Sequence, residues 1–344
     1  MKPVTARCVR LDRLESSERA LWSQWVQTQP ELQRAFLSPA YVEAVAAVTD
    51  GVRVVVVERE GRCVGLLPLQ SVKSAWSWLG LWEPVGGGMT DYFGLVSPAD
   101  STLKVSEILQ RAGLGALFYS HLDATQASIF NVSSRAQSRI GLRIRLGDQA
   151  GAYWESLAQR DKKLVSDTAR RDRKLQQEHG AVSFEYQSSQ APADLERLIV
   201  LKNAQYDRTG KAAPLQVDSN VALLRRILAV RDPACTPILS VLRVGDRVVA
   251  AHFGLRCHQT LHFWFPVYDA DFKAYAPGRI LLRRVIEAAW SDGVRLIDRG
   301  EGDTPAKRDF ANEEHLFLTD VAAGPGWRGW AARAGFALHW RTTP

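Results

Sequence analysis

Apolar residues recur along this chain at two different periods, and the switches between them outline its elements. Residues 20–50 carry Leu21, Trp25, Tyr41, Val45 and Val48 at three- and four-residue spacings, with Ser38-Pro39 as a start signal, so helix is predicted there. The runs VRVVVVERE from Val52 and CVGLLPLQ from Cys63 flank Glu60-Gly61-Arg62 and predict a hairpin. Residues 77–96 read as strand, glycine loop (Gly86–Gly88) and strand; residues 101–113 suit a helix, and Ala116–Leu122 a strand ending near Asp123.

Near residue 150 the texture changes to one long polar helix over 153–179, closed by Gly180. That change places a boundary between two lobes, 1–149 and 150–344. A strand at 182–187 and helices at 193–206 and 219–231 follow, the last stopping before Pro233. From Pro237 to Asp269 the pattern gives three strands, separated by turns at Gly245-Asp246 and Cys257–Thr260. A loop over 270–277, a helix over Gly278–Trp290, a turn at 291–293 and a strand over Val294–Asp298 complete the series. In the helix, Leu281, Leu282, Val285, Ile286, Ala288 and Ala289 share one face while Arg283, Arg284 and Glu287 point away, so it packs on the sheet. The predicted class is α/β, with a mixed sheet in each lobe.

Composition narrows this picture. At 344 residues the chain exceeds what one core usually serves, and 46% apolar with 24% charged residues is a globular balance. No apolar run approaches the ~20 residues of a membrane span, and the first residues have no leader pattern, so a cytoplasmic protein is expected. Cys8, Cys63, Cys235 and Cys257 lie too far apart for a metal knuckle and read as reduced thiols. No histidine spacing suggests a metal either. The net charge of +7 favours anionic partners without choosing among them.

Two segments concentrate chemistry. Lys273-Ala274-Tyr275-Ala276-Pro277-Gly278-Arg279 feeds a helix start, where main-chain N–H groups and the helix dipole favour a phosphate and Gly278 lets it approach closely. The stretch from Asp298 to Phe310 gathers Glu301, Asp303, Lys307 and Arg308 at a strand end, where a carboxylate could take a proton from an attacking amine. His252, in a central strand, is a second candidate base, although a lone strand histidine is more often simply packed. The basic residues between Arg160 and Lys174 could meet phosphates, but interleaved acids read more simply as a solvated, ion-paired helix face. Trp76, Trp78 and Trp82 could offer a flat face to a sugar, with packing the plainer role.

The order of strands, Pro-Gly loop and helix resembles the GNAT core. Residues 248–310 resemble, in particular, the acetyltransferase domain of the CelD/BcsL-type proteins of bacterial cellulose and exopolysaccharide clusters. The matches are Tyr268-Asp269, Pro277-Gly278, Asp298, Gly302-Asp303 and Lys307; Ala276, Arg299 and Ala306 depart from the pattern. More weakly, Ser38-Pro39, GLLPL and Asp91-Tyr92 extend the resemblance into the first half. It implies tandem GNAT-like lobes in a FemABX-like pair, with acetyl-CoA or another acyl-CoA bound at the second. Phe265 and Val267 of the strand, and Lys273, Tyr275, Pro277, Gly278 and Arg279 of the turn, would hold the cofactor, and a main-chain N–H within Phe263–Pro266 would stabilise the oxyanion. Asp91, Tyr92, Tyr268 and Lys307 would contact the acceptor. The base would be Asp298, Glu301 or Asp303, with His252 second.

The function expected is acyl transfer from coenzyme A to an amino sugar, nucleotide sugar or similar amine of envelope polysaccharide synthesis, without nucleic acid. Two alternatives stand beside it. One is a FemX-like transferase that takes its acyl group from charged tRNA. The other is a catalytically silent scaffold in peripheral contact with a membrane or synthase complex, motivated by GWRGWAARAGFALHW at the C-terminus.

Overall fold

The computed structural model describes residues 3–72, 80–149 and 151–324, together with 326–327, 329–332 and 334. Trp76, Trp78 and most of the tryptophan-rich C-terminal stretch lie outside the described residues. The chain forms two compact units, residues 1–140 with 315–344, and residues 141–314.

The first unit contains β1 (Thr5–Arg10), α1 (Ser16–Thr28), α2 (Pro39–Ala46), β2 (Val52–Arg59), β3 (Arg62–Ser71), β4 (Leu81–Glu83), α3 (Val105–Arg111), β5 (Ala116–Asp123) and the short α4 (Ala127–Phe130). The helix predicted over residues 20–50 is thus two helices, with 3-10 turns at Pro30–Leu32 and Ala35–Leu37 between them. Ser38 does start α2, its hydroxyl accepting from Tyr41 N–H. Strands β1 to β4 pair antiparallel in sequence order, and β4 runs parallel to β5.

The second unit contains β6 (Gln137–Arg145) from Gly141 onward, α5 (Ala152–Arg160), α6 (Lys162–His179), β7 (Val182–Glu185), α7 (Ala191–Thr209), α8 (Asp218–Leu228), β8 (Thr236–Val244), β9 (Arg247–Cys257), β10 (Thr260–Tyr268), α9 (Pro277–Ser291), β11 (Leu296–Glu301) and α10 (Pro305–Arg308). The long polar helix is broken at Asp161, whose carboxylate accepts Leu164 N–H at 2.8 Å and caps α6. Strands β7 to β10 pair antiparallel, β10 runs parallel to β11, and β11 is antiparallel to β6. The buried stripe of α9 (Ile280, Leu281, Leu282, Val285, Ile286, Ala289) packs with Leu242, Val249, Phe263 and Ile297 of the sheet. This is the face the periodicity predicted.

The final strand, β12 (Glu313–Ala323), pairs antiparallel with β5 of the first unit. Each unit therefore has the same plan of three antiparallel pairings, one parallel pairing around a helix, and one antiparallel sixth strand. The chain supplies that sixth strand late: β6 follows β5 yet completes the second sheet, and β12 follows β11 yet completes the first. The expected boundary at 149/150 falls after β6, whereas the compact units divide at 140/141 and residues 315–344 return to the first. The alternation in SRIGLRIR and EEHLFLTDVAA fits a strand, but the pairing partner is set elsewhere.

Candidate functional site

In the second unit, β10 and β11 pair only through Thr260↔Leu296, Leu261↔Ile297 and His262↔Asp298. Beyond that point β10 continues six residues to Tyr268, still paired with β9 through a register shift between His262 and Phe265, while β11 ends at Glu301. Two parallel neighbours that stop pairing leave main-chain groups for something other than a strand.

The parting begins at a buried polar row. Asp298 is 0% exposed and its two oxygens are engaged, Oδ2 by Arg143 Nε at 2.9 Å and Oδ1 by Gly300 N–H at 2.8 Å. His262 Nδ1 lies 3.6 Å from Oδ1. Arg143, Asp298 and His262 are register partners on three successive strands, so their side chains share one face. Asp298 is built in as a fixed charge, an arrangement that suits positioning better than proton exchange.

The Pro-Gly turn sits past the end of β10. Ala276 takes the left-handed conformation (φ 50°), and Pro277 opens α9. Arg279 and Ile280 N–H both turn back to the Ala276 carbonyl, at 2.9 and 3.4 Å. Pro277 has no N–H, so Gly278 carries the main-chain donor of this first turn that remains for a ligand. Among the described residues outside its own helix, a Cβ at Gly278 would meet only Tyr268 Cδ1, at 3.7 Å, so the space over it is open. Lys273 is exposed; Arg279 Nε bonds Asp309 at 2.8 Å; and Tyr275 Oη meets Glu178 and His179 of α6. Phe265 and Val267 are buried, so any contact they make with a cofactor uses the main chain.

The acidic loop is held by its own basic residues. Lys307 Nζ donates to the carbonyls of Arg299 (2.8 Å) and Glu301, clasping the chain around Gly302. Arg299 donates to the carbonyls of Ala306, Lys307 and Asp309, closing α10. That explains the arginine at a position where the resemblance has an apolar residue, and burial pushes its guanidinium down to about 10. Asp303 is exposed and gripped by Arg308, whose hydrogen bond holds the carboxyl below its ordinary range. A carboxylate so stabilised is a weak proton acceptor. Glu301, half-buried, ends β11.

His252 is 0% exposed, pairs in register with Ser240 and Pro266, and stacks on Phe263 at 3.9 Å between ring centroids. Neither ring nitrogen makes a hydrogen bond of normal geometry among the described residues. Burial, with the neighbouring His262 adding, pushes it down to about 3, so the ring is neutral. Its burial removes it from direct contact with a dissolved acceptor in this structure.

Asp91 and Tyr92 belong to the first unit. Tyr92 is buried there, its Oη 2.8 Å from His315 Nε2, with Phe317 against its edge and Arg34 over its face. Cys63 is a packed thiol pushed up to about 11 by burial, the opposite of an activated nucleophile. Among the described residues there is no group of three or more His, Cys, Asp or Glu side chains that could hold a metal, and no helix long and apolar enough to cross a membrane.

Lys202 of α7 carries no motif, and sequence reasoning passed it over. Its ammonium reaches β10, donating to the Pro266 carbonyl at 2.8 Å and to Gln205 Oε1 at 3.1 Å. Burial first, then Lys307 and Lys211, brings it down to about 8.

An open glycine at a helix start beside a strand freed of its neighbour fits a phosphate-bearing, extended cofactor, although with one main-chain donor rather than several. Residues 162–308 match the family model described as an acetyltransferase (GNAT) domain. Comparison with curated proteins finds no sequence match. Among solved structures the chain is similar to FemX, at 10% identity, TM-score 0.57, with 87% of this chain and 95% of that one covered. It is similar also to the C-terminal domain (DUF2156) of a putative lysylphosphatidylglycerol synthetase from Agrobacterium fabrum, at 12% identity, TM-score 0.53, with 95% and 96% covered. A conserved protein of unknown function from Bacteroides thetaiotaomicron gives 11% identity, TM-score 0.52, with 93% and 100% covered. At such identities the likeness is one of fold.

Proposed function

We propose that this protein is an acyl-CoA-dependent N-acyltransferase, transferring acetyl to an amino sugar, a nucleotide sugar or a similar amine of bacterial envelope polysaccharide synthesis, in the manner of the CelD/BcsL-type proteins. The observation that carries the reading is the end of β10–β11 pairing at His262/Asp298, with a helix start whose Gly278 is open beyond the end of β10.

Bound acetyl-CoA supplies an acyl group activated as a thioester. Gly278 N–H, with the dipole of α9 behind it, would hold the pyrophosphate. A main-chain N–H of Phe263, Trp264 or Phe265 would polarise the acyl carbonyl; Pro266, included in the expected stretch, has none to give. Arg143, Asp298 and His262 hold the point at which the strands part. Tyr268, beside Gly278, and Lys307, on α10, would border the acceptor.

Calorimetric titration with acetyl-CoA tests the reading. Saturable binding that survives 0.3 M salt supports it. No binding of acetyl-CoA, with salt-sensitive binding of aminoacyl-tRNA, would replace it with a tRNA-dependent transferase. The basic helix α6 gives that rival limited support, because Arg170 and Arg171 are paired with Asp167, and Lys174 with Glu178.

A further inference from the structure

We infer that the side-chain amine of Lys202 is the proton acceptor for the attacking nucleophile, presented from α7 to the stretch of β10 that β11 leaves unpaired. The inference rests on the acyltransfer reading and names a catalytic group within it.

The geometry comes from three elements. Helix α7 packs across β9 and β10, and Lys202 lies on the turn of α7 facing them. Its Nζ bonds the carbonyl of Pro266, four residues past the last β10–β11 pair. On the β11 side, Lys307 Nζ bonds the carbonyls of Arg299 and Glu301, and it is close enough for its charge to act on Lys202. Two amines from α7 and α10 thus meet main chain of the two strands that diverge.

The partners of Lys202 are acceptors, and both are neutral. An uncharged amine has two N–H groups and one lone pair. Pro266 O and Gln205 Oε1 take the two N–H groups, which leaves the lone pair directed elsewhere. No carboxylate pairs with Lys202 among the described residues; the charged groups that act on it are Lys307 and Lys211, and Tyr206 lies under it with its ring centroid 5.2 Å from Nζ. Burial and the two lysines favour the uncharged form, while the Tyr206 ring face and the two carbonyl acceptors favour the ammonium; the former prevail and bring the group down to about 8. Of the acids of the β11 loop, Asp298 is committed to Arg143 and Gly300, and Asp303 to Arg308.

The step balances. The acceptor nitrogen forms the C–N bond to the acyl carbon, and the C–S bond breaks with its electron pair on sulfur. The proton shed by nitrogen goes to Lys202 Nζ and is then handed to sulfur, which leaves as the thiol.

Two measurements on the full-length protein decide the matter. In the first, lysine side-chain NMR, with the Lys202 signal assigned by its loss in Lys202→Met, follows the amine from pH 6 to 11, with and without coenzyme A. A titration near 8 is expected, and an ordinary lysine titration above 10 overturns the proposal whatever the donor is. In the second, thiol release from acetyl-CoA is followed with glucosamine, and with water, as acceptor. Wild-type turnover should rise with pH to a plateau above about 8. Lys202→Met should lose about a hundredfold or more, the scale of a general base, while binding coenzyme A as wild type does. Small primary amines should restore part of the loss, the more basic ones better. Unchanged turnover in Lys202→Met overturns the proposal, as does a loss that shows no amine rescue and keeps the wild-type pH limb. Failure of wild type to bind coenzyme A would instead remove the donor, and the NMR titration would still report on the amine.

Discussion

Arg143 Nε donates to Asp298 Oδ2 at 2.9 Å inside the sheet of the second unit, where Asp298 has no exposed surface. A buried charge loses hydration, and only a partner of good geometry offsets the loss. Replacing Asp298 by Ala removes the partner of Arg143 Nε, leaves that guanidinium with Glu313 at 3.6 Å, and frees Gly300 N–H, and should destabilise by about 3 kcal/mol. Arg143→Leu together with Asp298→Leu should recover part of this, because no unpaired charge remains. Urea unfolding of both variants reads the difference, and an Asp298→Ala midpoint equal to wild type would contradict it.

Gly254 should resist substitution. A Cβ there would stand 2.4 Å from His252 Nε2 and 2.4 Å from the main-chain oxygen of His262, and the second of these cannot rotate away. Gly254→Ala should lower stability by about 1–3 kcal/mol, as overpacking does. Combining it with His252→Ala should leave most of the loss in place, which thermal unfolding would show.

His252 makes stability depend on acid. Its folded value near 3 lies below the ordinary histidine value of 6.5, so between those limits the unfolded chain binds a proton that the folded chain refuses. The stabilising contribution is fully present above about 6.5 and falls away as the pH drops towards 3, by up to about 1.4 kcal/mol per pH unit. His252→Phe should flatten this slope in urea unfolding between pH 6 and 4. An identical slope would place the titration elsewhere.

Much of the second unit was legible because its signals are local. Gly245-Asp246 separates two apolar runs, and the spacing of Leu281, Val285 and Ala289 admits one buried face, so β8, β9, β10 and α9 lie close to where they were predicted. Residues whose role depends on a distant partner were not legible. Strands β6 and β12 alternate acceptably, but nothing in either run says that each completes the sheet of the other half. Asp161 looked like one more charge in a polar helix until its carboxylate was found on Leu164 N–H. Lys202 reads as a solvated helix residue, because the Pro266 carbonyl it meets is 64 positions away. Asp303, conversely, stood out in a dense acidic loop whose density is an ion pair with Arg308.

That ion pair carries its own expectation. Asp303 is exposed, so Asp303→Asn should leave the unfolding midpoint near wild type, surface pairs being weak. Thiol release from acetyl-CoA should also stay near wild type, since the hydrogen bond from Arg308 holds the carboxyl ionised and makes it a poor base. A loss of about a hundredfold with the fold intact would return Asp303 to the catalytic role its sequence position suggests.

The most direct test of acyl-CoA dependence compares acetyl-CoA binding by wild type and Gly278→Val in calorimetry, with circular dichroism confirming that both are folded. Among the described residues, and apart from its chain neighbours and its own helix backbone, a Cβ at this position meets within 4 Å Tyr268 Cδ1, at 3.7 Å, so the variant should fold normally while its side chain fills the space above the first turn of α9. Wild type should bind acetyl-CoA saturably, and Gly278→Val should weaken that binding at least tenfold. Equal affinities in the two proteins would contradict the placement of the pyrophosphate at Gly278, and no binding by wild type would contradict the dependence on acyl-CoA itself.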